Sequence, residues 1–184
     1  MGQLNQKKME AAIAMLLEGM GCDLKNEHFV DTPKRVARMY VELLTPQPLN
    51  FTTFESRHAS LVLLRNHRIF GVCPHHLLPF EMRAHLGYIP NRKVLGLSKL
   101  ARLLELHRAK PILQEEYTDI VSHDLFERTD AKGAGCVIVA QHGCMQCRGV
   151  RTTGDIVTSS MHGVFLLNPS AREEFLRLLT IGGV

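Results

Sequence analysis

Cysteine and histidine, the side chains that bind borderline-soft metal ions most readily, crowd two short stretches of this sequence. GVCPHHLLPF at 71–80 holds Cys73, His75 and His76, and QHGCMQCRGV at 141–150 holds His142, Cys144 and Cys147. Cys-x-x-His spacing brings two donors within reach of one ion, and zinc takes thiolate sulfur and imidazole nitrogen at about 2.0–2.3 Å. His75 and His76 are adjacent, so on an extended chain they point to opposite faces and only one joins Cys73 naturally on a metal. The other is free for proton transfer. Spacing alone leaves three arrangements open. These residues have no shared role; or Cys73, His76, Cys144 and Cys147 close a four-ligand structural zinc site; or three ligands leave a position for water, with His75 and His142 as acid and base.

The surrounding chain is that of a globular protein. It has 184 residues, 45% of them hydrophobic and 22% charged, enough for one domain with a real core. Five cysteines, an odd number, without a secretory leader argue against a disulfide framework. The opening MGQLNQKK lacks the apolar stretch of a signal peptide. Gln6 stands where an N-myristoylation motif on Gly2 needs Ser or Thr. No apolar run approaches the about 20 residues that cross a bilayer. No membrane partner is therefore expected, and a cytoplasmic location is. The net charge of +4 fits either a solvated surface or an anion site. No basic run carries interleaved aromatics, which make up only 6% of residues, so a nucleic-acid partner is not expected.

The elements that must position these residues follow from periodicity. Met9, Ile13, Leu16, Leu17 and Met20 recur at helical spacing over 5–20, and Gly21 is a plausible stop. Asp31-Thr32-Pro33 starts a second helix with Val36, Met39, Tyr40 and Leu43 on one stripe. Residues 45–60 read as a connector. Leu61–Leu64, Arg68–Val72 and Ala84–Ile89 predict strands. Ser98 caps a helix to about Arg108, and another runs from about Leu113 to Phe126. Gly135–Gln141 predicts a short buried strand and 150–160 another, and Ser170 with Glu173 fits the capping box of a last helix. Two helices, strands, two helices, strands and a helix predict an α+β fold with an antiparallel sheet. The division is an N-terminal helical region, 1–60, and an α+β catalytic domain, 61–184.

Several long strings, in order, resemble the type I GTP cyclohydrolase family: DTPKRVARMY at 31–40, HLGYIPNRKVLGLSKLAR at 85–102, Gln114-Glu115, HGCMQCRGV at 142–150 and VTSSMHGVF at 157–165. The resemblance covers about Asp31 to Leu179. It implies zinc (Zn2+) held by Cys73, His76 and Cys144, with His75 and His142 as acid–base histidines. It implies that Glu115 anchors guanine with Gln114 beside it, and that Ser98, Lys99 and Arg148 grip phosphate. Arg102, Arg35 and Arg38 are second-rank members of that grip, since arginines on helices are commonly solvated. It implies a tunnelling fold, an antiparallel sheet with helices packed on one side, whose sheets pool into a barrel. The assembly would be a homodecamer of two pentamers with active sites between subunits.

The implied reaction is hydrolytic opening of the GTP imidazole ring at C8, with release of formate and formation of 7,8-dihydroneopterin triphosphate. An open zinc site lowers the pKa of bound water to about 7, and an imidazole with a pKa of about 6.5 passes protons in both directions. A carboxylate at Glu115 accepts the guanine N1–H and exocyclic amine, a donor pair adenine lacks. Pro74 stands where the family usually has Glu, and Gly71 where it usually has Ser. These departures beside the metal motivate an alternative, a related tunnelling-fold enzyme acting on another purine or pterin.

Cys147 separates the two zinc arrangements. In the closed site it is the fourth ligand, and its loss costs metal and fold together. In the open site it is a bystander. Cys147→Ser is expected to keep one zinc per chain, its fold and most of its activity, measured by metal analysis, circular dichroism and GTP turnover. Joint loss of zinc and fold would decide for the closed site.

Overall fold

The structure is a computed structural model that describes residues 2–57 and 60–181. Residues 58 and 59 of the expected connector, and 182–184 at the end of the expected catalytic domain, lie outside the described residues. The chain divides into two compact units, Met1–Thr45 and Pro46–Val184.

The first unit is a helix pair, α1 (Gln6–Gly19) packed on α2 (Thr32–Leu44). Asn5 caps α1 by accepting the Lys8 N–H at 2.9 Å. Gly21 takes φ +79 just beyond the helix, the left-handed conformation that glycine tolerates. Pro33 sits in the first turn of α2, but Asp31 makes no side-chain cap bond and instead pairs with Arg35 at 3.3 Å.

The second unit is built on a four-stranded antiparallel sheet in the order β2-β3-β5-β6. Its strands are β2 (Val62–Val72), β3 (Pro79–Ile89), β5 (Gly133–Gln141) and β6 (Ile156–Gly163). The two short strands expected over 61–72 are one, interrupted by a register shift between Leu64 and His67, with Asn66 at φ +54. The connector contains a strand, β1 (Thr53–Glu55), because it pairs with β4 (Lys93–Leu95); it therefore belongs to the second unit. The Leu95 N–H donates to the buried Tyr88 hydroxyl at 2.7 Å and so ties β4 to β3.

Alternation divides the sheet into two faces. Phe80, Met82, Ala84, Leu86 and Tyr88 of β3 join Ala134, Cys136, Ile138 and Ala140 of β5 in one buried layer. Against it pack α3 (Ser98–His107) through Leu100, Leu103 and Leu104, and α4 (Gln114–Thr129) through Tyr117, Val121 and Leu125. Ser98 is the first residue of α3 rather than its cap, which is Leu97.

Helices do not all lie on one side, as the resemblance implied. The opposite face carries a second core where Val137 meets Phe165 of α6 (Val164–Leu167) and Phe175 of α7 (Pro169–Thr180). Leu63, Gly87, Gly135 and Met161 form one cross-strand row there. A Cβ added at Gly87 or Gly135 would come within 2.9 or 3.3 Å of the Phe175 ring. The two glycines thus make the bed in which that ring lies. The cap of α7 is Asn168, accepting from Ser170 and Ala171 N–H at 2.9 and 3.3 Å, in place of the expected Ser170–Glu173 box.

Phe175→Ala empties this bed. It is expected to cost about 3–5 kcal/mol, the range for deleting a buried aromatic ring, as read from urea unfolding. A loss under about 1 kcal/mol would show that α7 contributes little to the second unit.

Candidate active site

The sheet delivers both cysteine–histidine stretches to one end. Val72, the last residue of β2, is registered with Pro79, the first of β3, and residues 73–78 join them. The Cys73 N–H donates to the Leu78 carbonyl at 3.0 Å and the Leu77 N–H to the Cys73 carbonyl at 2.9 Å, closing the loop. Leu77 turns the chain at φ +56. On the other side of β3, Gln141 at the end of β5 is registered with Glu81. His142 leaves that strand and α5 (Gly143–Gln146) follows, so Cys144 lands opposite the loop.

Donor atoms of Cys73, His76 and Cys144 all lie within 4.8 Å of one another. Cys73 Sγ is 3.9 Å from His76 Nδ1. Ligands around a tetrahedral ion of zinc's bond lengths sit about 3.5–3.8 Å apart, so the set closes on a metal with shifts of a few tenths of an ångström up to about 1 Å. Cys147 is exposed and outside this group. Burial, then the adjoining Cys73, raise the Cys144 thiol above its usual range. A dication held by Cys73 and Cys144 would reverse that penalty, because it would favour the thiolate forms. Arg148 reaches the other edge of the His76 ring, with Nη1 2.9 Å from Nε2.

Beside the triad lies a cleft of about 300 Å³ lined in part by Cys73, Pro74, His75, Glu115, His142 and Cys144. Pro111 bridges to Val72, and the Ile112 N–H donates to the Val72 carbonyl at 3.1 Å, which brings the first turn of α4 to the cleft. Glu115 is exposed in that turn, while Gln114 is buried. The His142 ring stacks on Phe80, with centroids 4.3 Å apart and planes 22° apart. A Cβ at residue 71 would lie 2.8 Å from the Phe80 ring, so Gly71 makes room for the ring that supports His142. Burial lowers the His142 pKa, and the Glu115 carboxylate opposes that shift.

Residues 9–180 match the family model described as GTP cyclohydrolase I. The chain belongs to the GTP cyclohydrolase I family. It is 42% identical over 182 residues to GTP cyclohydrolase 1 of Campylobacter jejuni subsp. jejuni serotype O:23/36 (strain 81-176), covering 95% of each chain. The GTP cyclohydrolase 1 of Aquifex aeolicus (strain VF5) is 38% identical over 179 residues, covering 96% of this chain and 97% of that one. The Clostridium perfringens (strain 13 / Type A) protein of the same name is 36% identical over 184 residues, covering 97% and 100%. An apo archaeosine synthase QueF-Like structure is similar at TM-score 0.45 and 20% identity, over 55% of this chain and 93% of that one.

GTP cyclohydrolase I is a metal-dependent hydrolase family, and the Cys-His-Cys group suits a metal. Not every residue that the resemblance named meets at the cleft. Ser98, Lys99 and Arg102 lie on α3 and do not line it. Arg35 and Arg38 belong to the first unit, where Arg35 pairs with Asp31 at 3.3 Å and Arg38 with Glu42 at 3.6 Å. Phe80 ends the GVCPHHLLPF string, but a phenylalanine there gives no sign in sequence that it supports His142. Thr158, within VTSSMHGVF, likewise gives no sign in sequence that it accepts from the Gln114 amide, at 3.1 Å. Among the described residues no helix is long and apolar enough to cross a membrane.

Glu115→Gln removes the negative charge that favours the His142 imidazolium. Ring titration by NMR in the metal-free protein should therefore move to lower pH than in wild type. An unchanged or higher midpoint would show that Glu115 does not act on that ring.

Proposed function

We propose that this chain opens the imidazole ring of GTP at C8, releases formate and yields 7,8-dihydroneopterin triphosphate, using zinc held by Cys73, His76 and Cys144. The convergence of those three donors, with Cys73 and Cys144 lining the cleft that His142 and Glu115 also line, supports the reading. Zinc in such a three-ligand set supplies a water acidified to about neutral pKa.

The chain's own residues supply recognition and proton transfer. Glu115, exposed at the cleft, accepts hydrogen bonds from guanine N1–H and the exocyclic amine. His142 holds the proton that N7 takes up as C8 is attacked. His75, on the same cleft, returns protons as the C–N bonds break. Arg148 meets His76 through a ring nitrogen that must accept, because guanidinium only donates. A ring that gives Nδ1 to a metal carries its proton at Nε2, so the guanidinium is then freed for the triphosphate.

Assembly completes the site. Ser98, Lys99 and Arg102 on α3 would grip the triphosphate from a neighbouring copy, with Arg35 and Arg38 as further contributors, in a homodecamer of two pentamers. β2 and β6 are the outer strands of the sheet, and unpaired strand edges seek partners. Sheets pooled edge to edge would give the barrel of the tunnelling fold. We place this chemistry in the cytoplasm, where GTP is available.

Incubation with GTP and zinc should release formate and a dihydropterin triphosphate. Cys144→Ala should lose the metal. His142→Ala and His75→Ala should keep it and lose about 10²–10⁴ in rate, the scale for a general acid or base. Full zinc content in Cys144→Ala would overturn the ligand set. Absence of formate from the zinc-loaded wild type would overturn the reaction.

A further inference from the structure

Gln114 stands beside the residue assigned to guanine, yet its side chain is only 2% exposed. Its amide nitrogen faces three oxygens: the Ile138 carbonyl at 3.3 Å, the Ile156 carbonyl at 3.0 Å and Thr158 Oγ1 at 3.1 Å. Carbonyl oxygens only accept, so the end of the amide that meets them must be the NH2. A flipped amide would set its own oxygen against two carbonyl oxygens, acceptor against acceptor.

The threonines secure the same orientation. Thr158 Oγ1 and Thr118 Oγ1 are 2.6 Å apart, and Thr118 Oγ1 donates to the Gln114 carbonyl at 2.7 Å. Thr118 has one hydroxyl proton and spends it there, so Thr158 must donate to Thr118. The Thr158 hydroxyl proton is thereby used, and toward Gln114 it can only accept. One circuit of donors results: Gln114 amide to Thr158, Thr158 to Thr118, Thr118 to the Gln114 backbone.

With its NH2 end fixed, Gln114 presents Oε1 to His142 Nε2 at 2.8 Å. That oxygen has no proton to give, so Nε2 must carry one. The neutral ring then keeps its lone pair on Nδ1. Phe80, stacked on the ring, fixes its plane as the hydrogen bond fixes its proton.

We infer that Gln114, locked by Thr158 and Thr118, is a positioning residue that holds His142 as the Nε2–H tautomer and leaves Nδ1 as the nitrogen that exchanges protons with the substrate. Gln114 lines the cleft, but both ends of its amide are then taken up by the protein rather than offered to guanine. The inference rests on the proposed proton-transfer role of His142 and adds which nitrogen performs it. After giving a proton from Nδ1, the ring returns to the tautomer that Gln114 favours, with no reorientation between steps.

The test uses zinc-loaded protein with kcat and KM for GTP, zinc content and 15N spectra of labelled histidine, the His142 signals being assigned by their loss in His142→Ala. Wild type should show Nε2 protonated and Nδ1 bare in the neutral ring. Gln114→Ala should mix the tautomers and lower kcat about 10–100-fold, the scale for orienting partners, with KM within about twofold. Thr158→Val should move both readouts the same way more weakly, while Thr158→Ser, which keeps the hydroxyl, should restore them. A rise in KM at constant kcat would make Gln114 a substrate contact and overturn the inference, as would a neutral wild-type ring protonated at Nδ1. Wild-type turnover judges the reaction itself, and the ring spectrum judges the tautomer whether or not turnover occurs.

Discussion

The double pairing of β3, with β2 along one edge and β5 along the other, is the constraint on which the site depends. Phe80 sits opposite Gly71 in one ladder, and Glu81 sits opposite Gln141 in the other. Those registers bring a loop at 73–78 and a helix at 143–146 to the same end of the sheet, although about 70 residues separate them in sequence. A shift of one residue in either ladder would turn alternate side chains to the opposite face. It would bury the wrong half of β3 and carry Cys73 away from Cys144. The apolar layer of Met82, Ala84, Leu86 and Tyr88 under α3 and α4 penalises that slip, so core packing fixes the spacing of the Cys73, His76 and Cys144 donors.

The chemistry was more legible in the sequence than the architecture. Cys-x-x-His and the later cysteine declare themselves by type and spacing, and their donor atoms do converge in the folded chain. The helices α1, α3 and α4 lie within a few residues of expectation. The break in β2 was misread because Arg65-Asn66-His67 interrupts the apolar pattern, whereas the backbone absorbs the interruption as an irregularity and continues pairing. β1 was missed because three residues among prolines and threonines give no period to read; its partner β4 defines it from a distance.

The two-sided arrangement of helices was hidden for a related reason. Gly87 and Gly135 look like weak points within strands, and only the Phe175 ring resting on both gives them a purpose. The Gln114 circuit was equally invisible. Its partners are two backbone carbonyls, which no side-chain pattern reports, and a threonine 44 residues away. Buried polar groups must find partners, but the sequence does not say which.

The ring of Phe80 occupies the space that a side chain at 71 would need. Positions 71 and 80 therefore share one volume, and neither can be changed alone without disturbing the support of His142. A serine at position 71 would push that ring to a new tilt or demand a smaller residue at 80. Gly71, two places before Cys73, thus bears on the His142 imidazole through the Phe80 ring alone. An exchange of bulk between these two packed neighbours would reset the His142 ring and leave Cys73, His76, Cys144 and every charged group as they are.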